Sequence, residues 1–375
     1  MERNQQLSDQ ELVILIHCIV AISAILSQII LQQIDCVRTQ SSGISRRALH
    51  PPGTSAMSTF LQFGDDQDYA KYFRFNRIEF ERLFLSFEEK WKRSVYGSHL
   101  AVQPACNRRK ASAKMCLALA LRFMASGILG DDGLLINGLS PATYSRTLWF
   151  GINLLYRTLL EDSASTISIT PELLQESASN FLQKDSRVAG LCLLIDGKVH
   201  PAQNFSDHRQ SRRNYNGMSD MPAKKGLYIF YANGLLAYAA LAPGSWGDSR
   251  AFDHIRPILE QQLTSLNLWL GSDSAFPKSR WCFPMPKENA PPLTPEEQLK
   301  LAGMMHIRCE AEWGVGSITK TWRWLDHRRL PVAHSQQSRT VVLLWRLTML
   351  LHQYRIRRMC IGQQFTVATS AMRDD

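Results

Sequence analysis

No two of the eight cysteines (Cys18, Cys36, Cys106, Cys116, Cys192, Cys282, Cys309, Cys360) stand in a C-x-x-C pair or another spacing that holds zinc, so a zinc-finger reading falls away. A reducing compartment is the simpler setting. Cys192 and Cys309 lie near acidic residues of interest, but read as small hydrophobes rather than reactive thiols. Acidic residues are also in deficit, 33 against 43 lysines and arginines, for a net charge of +10. That balance favours a polyanionic partner, either nucleic acid or an anionic membrane surface. A clean membrane-spanning run is missing as well. The longest apolar stretch, Leu12 to Ile34, is interrupted by His17, Gln28, Gln32 and Gln33 and has no strong basic flank. It reads as a membrane anchor, as an oligomerising or core helix, or as an extension the folded protein does not need, and a membrane partner is not expected.

What is present is ordinary globular material: 375 residues, 45% hydrophobic and 20% charged, enough for two or three domains with a real core. The pattern divides the chain into a hydrophobic N-terminal helix (1–35), a basic flexible linker rich in Arg, Ser, Gly and Pro (36–68), a helical region (69–160), an α/β region (188–330) and a C-terminal helix with a basic tail (331–375). In the helical region, residues 69–92 give one amphipathic helix or two. A second helix runs from Ala111 to near Gly127, and a third begins at Ser140-Pro141, a good N-cap and first-turn pair. This last helix carries Thr143, Tyr144, Ser145 and Arg146, and the arrangement is compatible with a helix-turn-helix in which Arg146 meets DNA. Thr170-Pro171-Glu172 opens a further polar helix.

Beyond residue 188 the character becomes strand-like. "LCLLID" reads as a short buried strand stopped at Asp196-Gly197. "GLYIFYANGLLAYAALAPG" reads as a hairpin turning at Asn233-Gly234, and "LNLWLGSDSAFP" as a later strand. With helical segments after the hairpin and from Pro295, the order strand, hairpin, helix, strand, helix describes a mixed α/β sheet flanked by helices.

Three acidic positions stand out in that order. Asp196 and Asp273 end strands, where functional groups of open α/β sheets gather, and Glu310 or Glu312 sits on the helical segment beyond. Clustered carboxylates repel unless a cation compensates them, and hard oxygen ligands suit Mg²⁺ or Mn²⁺. Two such ions could serve an in-line phosphoryl displacement, for which a nucleic-acid backbone is the natural substrate. Asp248 reads first as the start of a helix, with a place in the metal site as the alternative. His208, Arg209, Arg212, Arg213, Lys224 and Lys225 form a basic run suited to positioning phosphates or simply to solvation.

"LIDGKVHP", "APGSWGDSRAF", "SDSAFP" and "AEWGVGSITKTWRWL", in this order, resemble the transposases of the PIF/Harbinger superfamily and their domesticated relatives over roughly residues 70 to 330. The resemblance implies an RNase H-like DDE nuclease domain and a two-metal (Mg²⁺ or Mn²⁺) endonuclease acting in the nucleus. Such an enzyme cleaves DNA at transposon ends and transfers the freed strand to target DNA. Its first Asp falls on Asp196 and its second on Asp273. Its third acid falls on Glu312, because the family pattern then runs without a gap to Leu325, with Gly316, Arg323 and Leu325 identical; Glu310 would lose those matches. The resemblance also implies a separate Myb-like DNA-binding partner and is compatible with a homo-oligomer. Lys198-Val199 before His200 and Trp246-Gly247 before Asp248 depart from the family and weaken any role for histidine there. A catalytically inactive, domesticated DNA-binding or adaptor protein is the alternative function.

Overall fold

The computed structural model describes residues 52–94, 111–127, 131–203, 207–326 and 335–360. The hydrophobic Leu12 to Ile34 stretch and residues 361–375 therefore lie outside the described residues, whereas the basic end of the last helix, Arg355, Arg357 and Arg358, lies within them. Among those described, no helix is long and apolar enough to cross a membrane.

The chain is helical from residue 56, inside the segment expected to be linker. Helix α1 (Ala56–Phe63) starts where the Ser55 hydroxyl accepts the Ser58 N–H, and Met57 is already buried. Helix α2 (Asp66–Phe73) has a reciprocal capping box between Asp65 and Asp68, and Arg74 in the left-handed region ends it. Helix α3 (Arg77–Arg93) is capped by Asn76, and α2 and α3 together answer the expected amphipathic segment. Helix α4 (Ala113–Ser126) ends on Gly127 at φ 67°. Helix α5 (Asp131–Asn137) is followed by α6 (Pro141–Glu161), with Pro141 in its first turn. The Ser140 hydroxyl bonds Thr143 Oγ1 at 2.9 Å and no backbone N–H. Helix α7 (Pro171–Lys184) is capped by the Thr170 hydroxyl.

The sheet follows: β1 (Leu191–Pro201), β2 (Tyr215–Asn216), β3 (Met221–Phe230), β4 (Leu236–Pro243), β5 (Trp269–Ser272) and β6 (Cys282–Pro284). Its main strands lie side by side as β4-β3-β1-β5-β6, with the short β2 also on β3. β3 is antiparallel to both β1 and β4, while β5 runs parallel to β1, and β6 to β5. The hairpin turns at Asn233-Gly234, with Gly234 at φ 78°. Between the strands lie α8 (His208–Asn214), α9 (Asp248–Phe252) and α10 (Arg256–Leu266); after them come α11 (Pro295–Ile307), α12 (Cys309–Thr321) and α13 (Ser335–Met359).

β1 does not stop at Asp196-Gly197. It continues to Pro201 because β3 pairs with it throughout, Asp196 opposite Tyr228 and Gly197 opposite Leu227. A cross-strand partner outweighs the turn preference of Asp-Gly.

One sheet face packs on α10 through Leu193, Ile195, Leu227, Phe252, Leu259 and Leu263. The other carries α11 and α12, with Leu194, Met304, Ile307 and Ala311 in contact. A third cluster joins α1–α6 to Tyr228, Phe230, the end of α12 and α13. Helix α13 is built into this core: Gln353 accepts the Leu236 N–H at 2.8 Å and donates to the Thr166 carbonyl at 3.1 Å.

Candidate active site

β1 and β5 are adjacent and parallel, Leu194 lying opposite Gly271 after a register shift between Leu191 and Leu193. Asp196 follows Leu194 by two residues on β1 and so shares its face, and Asp273 is the first residue past the end of β5, close enough for its charge to bear on Asp196. That face bears α11 and α12: a Cβ added at Gly271 would meet Met304 of α11 at 2.5 Å. Asp273 heads the turn after β5, its carboxylate accepting the Ala275 N–H at 2.9 Å while Phe276 is buried behind. The "DSAFP" segment thus fixes the acid at both ends.

Helix α12 brings the third acid. Ala311, Val315 and Ile318 form its buried stripe, and Gly314 lets it lie on the sheet: a Cβ there would meet the Phe230 ring at 2.9–3.1 Å. Glu312 lies on one flank of the stripe, 54% exposed, with Arg308 Nη2 at 2.9 Å. Glu310 lies on the other flank, 1% exposed and ion-paired with Lys184 of α7. The two glutamates, two residues apart, therefore occupy different environments.

The electrostatics follow this geometry. Burial pushes the Asp196 carboxyl up to about 6, the Gly197 N–H at 2.8 Å pulls it down, and the charges of Asp273, Asp248 and Glu312 raise it further. Among the described residues, no three His, Cys, Asp or Glu side chains converge closely enough to hold a metal ion as they stand. In chemistry the set suits a divalent cation, since the donors are hard oxygens with negative charge in excess.

Asp248 begins α9, whose N-cap is Gly247; its side chain does not cap but pairs with Lys225 Nζ at 2.7 Å. It lies over Gly197, on the face opposite Asp196. Lys225, one of the basic residues singled out for DNA, is buried and committed to this pair. The alternation of β3 carries the signal for this, because Lys225 is in phase with buried Leu227 and Ile229 and so needs a counter-charge. Lys224 is half-buried, which lowers its pKa, as does Arg213. Arg209, Arg212 and Arg213 on α8 are exposed, as is Arg146 on α6, whereas Tyr144 of the same helix is buried.

Sequence reasoning missed a buried network beside Asp196. Tyr228, its cross-strand neighbour, has His200 Nε2 at 2.7 Å from its hydroxyl and accepts the Trp345 indole N–H at 3.4 Å. Burial, with Lys198 and Lys225 nearby, drives the His200 pKa down to about 3, and burial with Arg355 does the same for His352. Both imidazoles are therefore neutral in the fold, while an unfolded histidine takes a proton near pH 6.5. Unfolded chains then bind more protons, so stability is full above about pH 6.5 and is lost progressively as pH falls toward 3. Urea midpoints measured between pH 8 and 4 should decline over that window, and His200→Gln should flatten the decline; an unchanged pH slope in the variant would contradict the buried neutral state.

Residues 195–349 match the family model described as DDE superfamily endonuclease. The match begins one residue before Asp196, ends inside α13, and supports that superfamily for the segment holding the sheet and its acids. Neither a curated protein nor a solved structure gives a significant match to the chain. An endonuclease domain of this superfamily implies DNA as substrate and divalent metal ions as the general requirement.

Proposed function

We propose that the chain is a metal-dependent DNA endonuclease of transposase type, related to the PIF/Harbinger group, that cleaves phosphodiester bonds at transposon ends and transfers the strand to target DNA. The observation that carries this reading is the gathering of Asp196 on β1, Asp273 just past the end of the adjacent parallel β5, and Glu312 on α12, close enough for the charges of the latter two to bear on Asp196. The strand order β4-β3-β1-β5-β6, three antiparallel and two parallel, supports an RNase H-like fold for the domain.

Asp196, Asp273 and Glu312 are the residues that would hold Mg²⁺ or Mn²⁺, two ions in all, with Glu312 exchanging Arg308 for the metal. Such ions supply activation of water and charge stabilisation at the leaving oxygen. The protein's own contribution is to orient the carboxylates: the Gly197 N–H holds Asp196, the Ala275 N–H holds Asp273, and α12 holds Glu312. Exposed Arg209, Arg212 and Arg213, with Arg146, would position the phosphate backbone, whose counterion release makes binding salt-dependent. The element's ends would be found with a Myb-like partner, in the nucleus.

A nicking assay of the full chain on mixed-sequence DNA with Mn²⁺ tests the assignment. Wild type should cleave, and Asp196→Asn, Asp273→Asn and Glu312→Gln should each abolish cleavage while retaining salt-sensitive DNA binding. Cleavage that survives Asp273→Asn or Glu312→Gln would sink the assignment. Intact DNA binding with no cleavage by wild type would favour the domesticated adaptor.

A further inference from the structure

Glu310 is a buried carboxylate that the proposed chemistry does not use. It is 1% exposed, and its one ionic partner among the described residues is Lys184, the last residue of α7. We infer that the Lys184–Glu310 pair fixes the rotation of α12 about its axis and so aims Glu312 at Asp196 and Asp273, making Lys184 and Glu310 positioning residues. The inference rests on the nuclease reading and adds to it the device that sets the third acid's direction.

Residues two apart on an α-helix point about 200° apart, so any roll that displaces Glu310 displaces Glu312 by the same angle. Packing alone resists roll of α12 only in part. Its buried stripe is Ala311, Val315 and Ile318, apolar and non-directional, and the polar side-chain tie to β1, Lys198 Nζ donating to Thr319 Oγ1 at 3.2 Å, lies about two turns beyond Glu312. The ion pair holds the Glu310 carboxylate at one place beside α7, and a roll that broke it would leave a buried carboxylate without counter-charge.

Lys184 in turn is referenced to the strand that carries Asp196. In α7 the Ser177 hydroxyl donates to the Cys192 carbonyl of β1 at 2.6 Å and accepts the Ala232 N–H at 2.8 Å, while Phe181 is buried against Leu191 and Leu194. A rigid path therefore leads from β1 through α7 to Lys184, across to Glu310, and along one half-turn to Glu312. Arg308, which also faces Glu312, lies on the same helix segment and cannot set its roll relative to the sheet.

The test is a cycle on the full chain, read by calorimetric titration with Mn²⁺ alone and by nicking rate. Replacing the pair with packing residues, Lys184→Leu with Glu310→Leu, should leave thermal stability near wild type. It should weaken Mn²⁺ binding and slow nicking by about tenfold or more, and it should add no loss of Mn²⁺ affinity when combined with Glu312→Gln. Wild-type Mn²⁺ affinity in the double variant, or losses that add in full to those of Glu312→Gln, would overturn the inference. Should the apolar pair not fold, the reversed pair Lys184→Glu with Glu310→Lys should recover Mn²⁺ affinity lost by either single reversal, and failure to recover would overturn it equally. A Glu312→Gln variant with undiminished Mn²⁺ binding and nicking removes Glu312 from the site and this inference with it, a result distinct from failure of the pair variants alone.

Discussion

Asp196→Asn is expected to stabilise the metal-free protein while destroying its activity. At pH 7–8 the Asp196 carboxylate is ionised although burial and the charges of Asp273, Asp248 and Glu312 oppose it, which is why its pKa stands near 6. An acid whose folded pKa is raised costs stability wherever both states are ionised, here above about pH 6. The cost fades as pH falls toward 4, because the folded state takes up the proton first. A displacement of that size corresponds to roughly 3 kcal/mol, which partial exposure reduces to about 1–2 kcal/mol. Asparagine keeps the acceptor for the Gly197 N–H and removes the charge. Urea titration in EDTA at pH 8 should show the gain, and at pH 4 it should vanish. With Mn²⁺ the variant should lose nicking by a factor of about 1000, equivalent to about 4 kcal/mol of barrier. A variant less stable than wild type at pH 8 in EDTA would show that Asp196 is held by unseen favourable contacts.

Trp322→Ala should have the largest effect on stability, a loss of about 3–5 kcal/mol. Trp322 is fully buried just beyond α12, its ring centroid 6.0 Å from that of Phe75 in the stretch between α2 and α3. The same cluster holds Phe230 of the sheet and Tyr354 of α13, so the cavity would open where the helical region, the sheet and the C-terminal helix meet. Arg74 adds polar ties at this junction, donating to the Thr321 carbonyl at 3.1 Å while its own carbonyl accepts Arg355 Nε at 2.7 Å. The expected outcome is one shifted transition by both circular dichroism and tryptophan fluorescence. Two separated transitions in the variant would mean that the helical region and the sheet unfold independently.

Much of this arrangement is legible in the chain. Caps at Thr170 and Asn76, glycine after Ser126, the Asn233-Gly234 turn and the apolar runs of β1, β3 and β5 are local signals, and each element lies where its signal stands. Two kinds of information are not local. Where β1 ends depends on β3 pairing across it, so Asp196-Gly197 could not be told from a turn by its own preference. Whether Glu310 or Glu312 faces the strands depends on which side of α12 is buried, and its small, glycine-containing sequence gives only a weak stripe. Lys225 shows the same limit. It counts toward positive charge in composition, yet a buried partner on α9 consumes it, and net charge does not reveal which cations remain outside.

Gly197 is what leaves room for that last pairing. The Asp248 carboxylate occupies the space where a Cβ at position 197 would be, and Lys225 closes the same space from the other side, with its Cε at 2.9 Å from that point. Hydrogen is the one substituent that fits there without expelling a charge from its buried partner. Any side chain at 197 would therefore part Asp248 from Lys225 and leave two buried charges unmatched, a cost the fold bears whether or not metal or DNA is bound. One small residue with no chemistry of its own thereby sets whether α9 can dock on the sheet.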